Sequence, residues 1–246
     1  MADTPQGDLA EPALKIEGLH AGYGGPDVLH GISLSVHKGQ IITVVGPNGH
    51  GKSTLLRAIS GLAKIRRGTV RAGGKDVHRL GADRVAASGI VHVPQGDLLF
   101  PDMSVHENLL MGAYATSDRS VIAGRLEKVY GLLPRLRERH AQVASSLSGG
   151  ERRMVGIGRG LMAGGHILMI DEPSLGLAPL VTEQIYEVIA ALRAEGRTIL
   201  LVEENPVRVA HLSDEMNLLD DGRIVWTGPP DELLTRDELL STYLGG

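Results

Sequence analysis

The chain of 246 residues contains no cysteine, which excludes disulfide bonds, thiolate metal sites and thiol nucleophiles. Aromatic residues make up only 3% of it, so a core drawn from its 42% hydrophobic residues must be mainly Leu, Ile, Val and Ala. There is no basic excess either, with 25 Lys and Arg against 29 Asp and Glu. That balance argues against a general nucleic-acid-binding protein. No apolar run approaches the ~18 residues needed to span a bilayer.

The N-terminal stretch lacks the basic and apolar regions of a signal peptide. Residues 1–12 are polar and contain proline, which predicts a flexible leader. The length of the remainder, 13–246, is compatible with one large domain. We therefore expect a soluble, cytoplasmic protein, and any role at a membrane would require a partner.

Strand and helix patterns alternate through most of the chain, which predicts an α/β fold with a mainly parallel sheet and helices on both faces. Two alternating runs near the N-terminus, LKIEGLH and VLHGISLSVH, predict an antiparallel pair. Further strand signals are QIITVV, GTVRAGG, GIVHVPQ, HILMID, TILLVEE and the hairpin EMNLLDDGRIVWTG. Helix signals are LLRAISGL, SVHENLLMGAY, RSVIAGRLEKVYGLL, GERRMVGIGRGLM, PLVTEQIYEVIAALRAEG and two short C-terminal stretches. Residues 98–162 contain no strand signal, which predicts a helical subdomain inserted into the α/β core.

A glycine-rich loop joins the strand signal QIITVV to the helix signal LLRAISGL. Its sequence, GPNGHGKST, fits the phosphate-loop pattern G-x-x-x-x-G-K-[ST] in the strand-to-helix context that the pattern requires. Glycines let several backbone N–H groups converge on one anion, and the helix N-terminus adds its positive dipole end. Lys52 supplies a charge for the β- and γ-phosphates, and the Ser53 hydroxyl is suited to ligate Mg²⁺. We interpret His50 as a solvent-facing position whose backbone binds phosphate. The predicted phosphate-binding residues are Gly46, Pro47, Asn48, Gly49, His50, Gly51, Lys52, Ser53 and Thr54.

Two carboxylates follow the buried strand signal HILMI. The carboxyl ends of strands in an open α/β sheet face the ligand crevice, so Asp171 and Glu172 are expected near the phosphate loop. Asp171 would hold Mg²⁺ directly or through water, and Glu172 would polarise the attacking water. A strand that merely ends in an acidic turn is the alternative reading.

The stretch LSGGERR predicts a second helix N-terminus that can approach an anion. Ser148 is the expected N-cap, and Gly149 and Gly150 leave the first N–H groups accessible.

Together and in this order, these elements resemble the ABC ATPase family, and the resemblance covers the chain after the leader. It implies a P-loop NTPase core of the RecA-like type, ATP and Mg²⁺ as ligands, and ATPase activity. It also implies that Tyr23 stacks on adenine, that Gln95 contacts Mg²⁺ and the membrane partner, and that SLGLAP at 174–179 is a dimer-contact loop. In this family each nucleotide lies between the phosphate loop of one subunit and the LSGG element of another. One chain with one of each is therefore expected to be half of a dimer, with a second ATPase subunit or with itself.

SLGLAP, FPDMSVHENLLMGAY and the ending TYLGG are similar to the second ATP-binding subunit of branched-chain amino-acid importers, the LivF type. The resemblance implies two permease subunits, an indirect link to an extracellular or periplasmic solute-binding protein, and a peripheral position on the inner face of the membrane. Gln95 departs from the Glu that is frequent in this branch, and VPQG also occurs in the related urea and short-amide importers. That second importer class stays open on sequence grounds.

Two further alternatives belong to other classes. A non-transport ABC protein acting on DNA or ribosomes would carry a long coiled coil or tandem ATPase domains, and this acidic chain has neither pattern. A regulatory module that hydrolyses ATP poorly gains support from TILLVEENP. By resemblance, the residue after this strand contacts the γ-phosphate and is usually His, or Gln in the LivF type, but here it is Glu204. A shift of one residue would place Glu203 there, which is also an anion.

Overall fold

The computed structural model describes residues 11–96, 98–236 and 239. Its strands are β1 (Leu14–Gly22), β2 (Leu29–Val36), β3 (Ile41–Val45), β4 (Lys64–Ala72), β5 (Lys75–Asp76), β6 (Ile90–Val93), β7 (Ile167–Asp171), β8 (Thr198–Glu203), β9 (Glu215–Asp220) and β10 (Arg223–Gly228). Its α-helices are α1 (Lys52–Ile59), α2 (Ala82–Ala87), α3 (Val105–Gly112), α4 (Arg119–Leu132), α5 (Pro134–Glu138), α6 (Gly149–Ala163), α7 (Pro179–Ala194), α8 (Pro206–Val209) and α9 (Pro230–Leu234). None of these helices is long and apolar enough to cross a membrane.

A six-stranded sheet with the order β10-β9-β3-β8-β7-β6 forms the centre of the fold. The five strands from β9 to β6 are parallel, and β10 joins β9 as an antiparallel edge strand. The central strands β3, β7 and β8 are buried at every residue, which explains their uninterrupted apolar sequences. The parallel order brings the carboxyl ends of β3 and β7 to the same edge of the sheet.

The predicted antiparallel part forms a second sheet with the order β2-β1-β4-β5. Its inner face packs with α1 and with alternate residues of β3, β7 and β8 in one hydrophobic cluster. α1 contacts strands of both sheets. The prediction of helices on both faces is therefore right, but on this face the antiparallel sheet also packs over α1.

The opposite face of the central sheet is covered by α6 and α7. Their buried residues join those of α3, α4 and α5 in a second hydrophobic cluster. All the helices from α3 to α6 lie between β6 and β7 in the chain, where the sequence predicts an inserted helical subdomain.

Several local features differ from the sequence prediction. The predicted strand GTVRAGG begins four residues earlier, at Lys64, because the segment 64–67 also pairs with β1; Gly68, with a positive φ of 86°, lies where the register shifts. The short helices α2, α5 and α8 have only four to six residues and were not predicted. The leader and the ending TYLGG lie outside the described residues, apart from 11 and 12, as does most of the second predicted C-terminal helix.

Candidate active site

The loop 46–54 connects β3 to α1, as the pattern predicts. Gly51 immediately precedes the helix with φ of 109°, a conformation that strongly favours glycine. α1 then begins at Lys52, so the unpaired N–H groups of its first turn point out of the loop. The loop and the helix N-terminus together form a concave donor surface suited to phosphate.

The ammonium group of Lys52 lies inside this loop with 3% of the residue exposed. It donates to the carbonyl oxygens of Gly46 at 2.7 Å and Pro47 at 3.0 Å, and it approaches the Asn48 Oδ1 at 3.4 Å. It also forms a buried ion pair with Glu172, with 3.0 Å between Nζ and Oε1. The predicted phosphate-binding lysine and the predicted water-polarising glutamate are therefore in direct contact.

The His50 side chain is partly exposed, and it also contacts the β9–β10 hairpin. Its Nδ1 lies 2.8 Å from the Asp220 carboxylate and 3.1 Å from the Asp221 backbone nitrogen. The Gly222 N–H also donates to the His50 carbonyl at 3.0 Å. Asp221 and Gly222 form the turn of the β9–β10 hairpin, both with positive φ. The hairpin thus supports the outer side of the phosphate loop.

Ser53 and Asp171 come together at the start of α1 and the end of β7. The Ser53 hydroxyl donates to Asp171 Oδ1 at 3.1 Å. Burial raises the pKa of Asp171, and the hydrogen bond from Ser53 opposes that effect. A hydroxyl and a buried carboxylate side by side supply the hard oxygen ligands that Mg²⁺ prefers.

Glu172 follows Asp171 with φ of 43°, a left-handed conformation that is rare for a non-glycine residue. Such backbone strain is frequent at functional sites. Its carboxylate is held from two sides, by Lys52 on Oε1 and by the Gln95 amide, which donates to Oε2 at 3.0 Å. The three predicted residues Lys52, Gln95 and Glu172 therefore form one connected cluster.

Tyr23 lies just after β1, and 53% of the residue is exposed. Its hydroxyl is 3.4 Å from the Thr54 hydroxyl and 3.4 Å from an Arg57 nitrogen. These contacts anchor the ring next to the first turns of α1 and leave much of its surface free to stack on a base.

The LSGG element has the predicted local form. Ser148 is the N-cap of α6 and forms a reciprocal capping box with Glu151. A Cβ on Gly150 would lie 2.5 Å from a Val181 methyl group, so that side chain would have to shift, whereas a Cβ on Gly149 would make only ordinary van der Waals contacts. Among the described residues, no hydrogen bond joins this helix start to the phosphate loop of the same chain.

Two consecutive glutamates at the end of β8, Glu203 and Glu204, differ in their surroundings. Glu203, the last residue of β8, is buried on the α7 face, whereas Glu204 follows the strand and is exposed. The alternative register, with Glu203 toward the phosphate loop, does not match the structure, because the Glu203 carboxylate contacts Tyr186 and Ser174 instead.

Arg153 of α6 is a site neighbour that the sequence analysis missed. It is buried and donates to the carbonyl oxygens of Pro94 at 3.3 Å, Gly96 at 2.7 Å and Glu172 at 3.4 Å. The first two carbonyls flank Gln95, and the third belongs to Glu172. Arg153 therefore connects the Gln95 segment and the Glu172 segment to α6, the helix of the LSGG element. The sequence signal was a charged residue on the helix face that otherwise packs in the core.

Comparisons with known proteins agree with this geometry. A family model described as ABC transporter matches residues 29–175. The branched-chain amino acid transport ATP-binding protein BraG of Pseudomonas aeruginosa is 42% identical over 91% of this chain and 96% of its own length. The probable branched-chain amino acid transport ATP-binding protein LivF of Archaeoglobus fulgidus is 37% identical over 92% of this chain and 96% of its own length.

A solved structure also resembles the whole fold. It is a crystal structure of the ADP conformation of an ATP-binding cassette of an ABC transporter. The two chains superpose with a TM-score of 0.84 at 28% identity, over 94% of this chain and 98% of the other.

Proposed function

This chain belongs to the ABC transporter family of ATP-hydrolysing proteins, and from that premise we propose that it powers an importer of branched-chain amino acids. The similarity to BraG over nearly the full length of both chains carries the substrate class. The contacts among Lys52, Gln95 and Glu172 support ATP turnover at this chain's own site.

The substrate class is tested by uptake of labelled leucine into cells that lack this chain and its neighbouring transport genes. Restoring the genes should restore leucine uptake, and the same genes with Lys52→Ala should not. Restored uptake of urea without leucine would instead assign the chain to the urea and short-amide importers.

The residues at the carboxyl ends of β3 and β7 fit a magnesium ion. Ser53 and Asp171 would hold it, with the Gln95 amide oxygen as a third ligand after rotation away from Glu172. The described residues contain no group of three or more His, Asp or Glu side chains that could form an all-protein site. This fits a cation that shares its ligands with nucleotide phosphates and water. Bound there, it would neutralise charge on the β- and γ-phosphates.

We expect Lys52 to exchange its contact with Glu172 for contacts with the nucleotide phosphates, and this one change both binds the phosphates and activates Glu172. Lys52 must leave Glu172 to reach the β- and γ-phosphates, and this frees the Glu172 carboxylate to orient and polarise the attacking water. Tyr23 would stack on the adenine ring. Ser148, Gly149 and Gly150 would complete the site of a second ATPase subunit, which agrees with the lack of a hydrogen bond, among the described residues, between them and this chain's own phosphate loop.

The permease is expected to dock in a cleft of about 650 Å³ between the β6 edge and helices α3 and α6. Exposed apolar side chains line it: Leu98 is 67% exposed and Tyr114 is 88% exposed, and Phe100 and Met111 lie beside them. An apolar surface of this kind indicates a protein interface. The cleft begins close to Gln95, so a docked permease segment would lie next to a residue that holds Glu172.

The docking face can be mapped by site-specific crosslinking, because the natural chain has no cysteine to interfere. We expect Tyr114→Cys to crosslink to the permease in the assembled transporter. Val225→Cys is the matched control, since Val225 is an exposed apolar residue on β10 at the opposite edge of the central sheet. Crosslinking from Val225→Cys alone would place the permease on the other side and refute the proposed cleft.

Glu204 is the feature that separates this chain from the usual pattern. An ionised carboxylate ~4 Å from a phosphate oxygen costs about 4 kcal/mol per charge pair at an effective dielectric near 20. Its exposed position allows it to turn away from the nucleotide. We propose that this chain's own phosphate-loop site is the less active of the two sites in the dimer and that the partner ATPase supplies most of the turnover.

Glu204→Gln is therefore expected to preserve or raise ATPase activity, because it removes the repulsion and keeps the shape. The measurement is ATP turnover of the assembled transporter, with the exposed residue Glu195 changed to Gln as the charge-matched control. A large loss of activity with unchanged ATP affinity would show that Glu204 is a working catalytic group.

A further inference from the structure

The loop 23–28 joins β1 to β2 and carries Tyr23, the residue expected to stack on adenine. The backbone closes the loop at its base, where the Val28 N–H donates to the Ala21 carbonyl at 2.8 Å. Two glycines follow Tyr23, and Gly24 takes a φ of 97° that favours glycine. Because glycine leaves the backbone the most conformational freedom, contacts from outside the loop are needed to hold the Tyr23 ring in one position.

Arg66 of β4 supplies two such contacts through one guanidinium group. Its Nη2 donates to the carbonyl oxygen of Gly25, and its Nε lies 3.2 Å from the Asp27 Oδ1 in an ion pair. The other carboxylate oxygen of Asp27 lies 3.6 Å from the His20 Nδ1 on β1. One side chain from a neighbouring strand therefore contacts the loop on both sides of Pro26.

The register of the antiparallel sheet explains why the Arg66 side chain reaches the loop. In the pairing of β1 with β4, His20 lies opposite Arg67, and the next residue, Ala21, lies opposite Ile65. Arg66 is thus an extra residue between two consecutive pairs, which is the pattern of a β-bulge. A bulge changes the direction of a side chain relative to the regular alternation of the strand, and here that side chain contacts the loop.

The contacts of the Tyr23 side chain itself are longer. Its hydroxyl is 3.4 Å from Thr54 and 3.4 Å from Arg57, beyond the usual range of hydrogen-bond lengths. We propose that Arg66 is a positioning residue for nucleotide binding, which holds the loop 23–28 so that the Tyr23 ring is already placed to receive adenine. The proposal rests on the proposed function, since it takes Tyr23 as the residue that stacks on the base.

Arg66→Gln is the first test, measured as equilibrium binding of ATP to the isolated chain. We expect the dissociation constant to rise about fivefold, because only part of the population then presents Tyr23 in the stacking position. Arg67→Gln is the matched control, since it removes the same charge from the next residue of β4 and should leave the ATP affinity unchanged. Inorganic tripolyphosphate, which has no base, should bind equally to the wild type and to Arg66→Gln.

Tyr23→Ala tests whether Arg66 acts through the ring. On its own, this substitution should weaken ATP binding about tenfold, within the range for the loss of one base stacked on an aromatic ring. In the Tyr23→Ala background, Arg66→Gln should cause no further loss, whereas two independent effects would add. At saturating ATP, the kcat of Arg66→Gln at this chain's own site should match the wild type, because the phosphate ligands are untouched.

Wild-type ATP affinity in Arg66→Gln, together with weakened binding in Tyr23→Ala, would overturn this proposal and leave the stacking role of Tyr23 in place. Additive losses in the double variant, or equal losses of ATP and tripolyphosphate affinity, would also overturn it, because they indicate a direct effect of charge or a damaged fold. Unchanged ATP affinity in Tyr23→Ala would refute the stacking role itself and, with it, the positioning role of Arg66.

Discussion

Lys52→Ala is expected to abolish measurable ATP hydrolysis and to weaken ATP binding strongly. The lysine ammonium is the cation that the loop holds against its own carbonyl oxygens, and backbone N–H groups alone do not offset the charge of the β- and γ-phosphates. The measurements are steady-state ATP turnover at this chain's own site, in an assembled complex whose partner ATPase has been inactivated, and equilibrium binding of ATP to the isolated chain. Wild-type-like turnover would rule out the assigned loop.

The same substitution has a second consequence that needs its own control. Lys52 and Glu172 form a buried ion pair, and removing one partner leaves the other charge buried at a cost of about 3 to 5 kcal/mol. Lys52→Ala should therefore melt at a lower temperature than the wild type. Adding Glu172→Gln should restore much of that loss without restoring hydrolysis. Lys64→Ala, which removes an exposed lysine of β4, should change neither property.

Much of the site could be predicted from the sequence because local sequence patterns combine with one rule of topology. The carboxyl ends of parallel strands in an open sheet meet at the same edge, where ligands bind. The loop pattern places Lys52 and Ser53 at the N-terminus of α1, and the parallel sheet brings Asp171 to the same edge. The hydrogen bond between Ser53 and Asp171, 118 residues apart, follows from that rule. The N-cap at Ser148 and the Asp-Gly hairpin turn could also be predicted, because each depends only on residues a few positions away in the sequence.

Contacts that depend on the exact packing of distant segments could not be predicted. His50 and Asp220 are 170 residues apart, and nothing in either local sequence indicates that the hairpin turn supports the phosphate loop. The buried position of Glu203 depends on which face of β8 meets α7, which alternation alone cannot fix for a strand that is apolar on both faces. The ion pair between Lys52 and Glu172 likewise joins distant segments, and the two local motifs describe only how each residue acts on ATP.

Glu172→Gln is expected to bind ATP normally and to lower turnover at this chain's own site by about 100-fold or more, the usual contribution of a residue that accepts or polarises a proton. The substitution preserves the local contacts. The Gln oxygen can still accept from Lys52, and Gln95 can rotate its amide to present an oxygen to the new NH₂ group. The charge that polarises the attacking water is removed, while the phosphate ligands of the loop remain.

The stalled state gives this variant a positive signature. With ATP, Mg²⁺ and a competent partner subunit, Glu172→Gln should accumulate as an ATP-bound dimer that elutes earlier in size-exclusion chromatography than the wild type. Glu195→Gln, at the exposed end of α7, should neither stall nor accumulate. Normal hydrolysis in Glu172→Gln would assign the water-polarising role to another residue. A dimer that forms equally without ATP would show that charge removal alone drives association. The combination of retained ATP binding, lost turnover and ATP-dependent dimer formation is expected only if Glu172 acts after the two subunits have closed around the nucleotide.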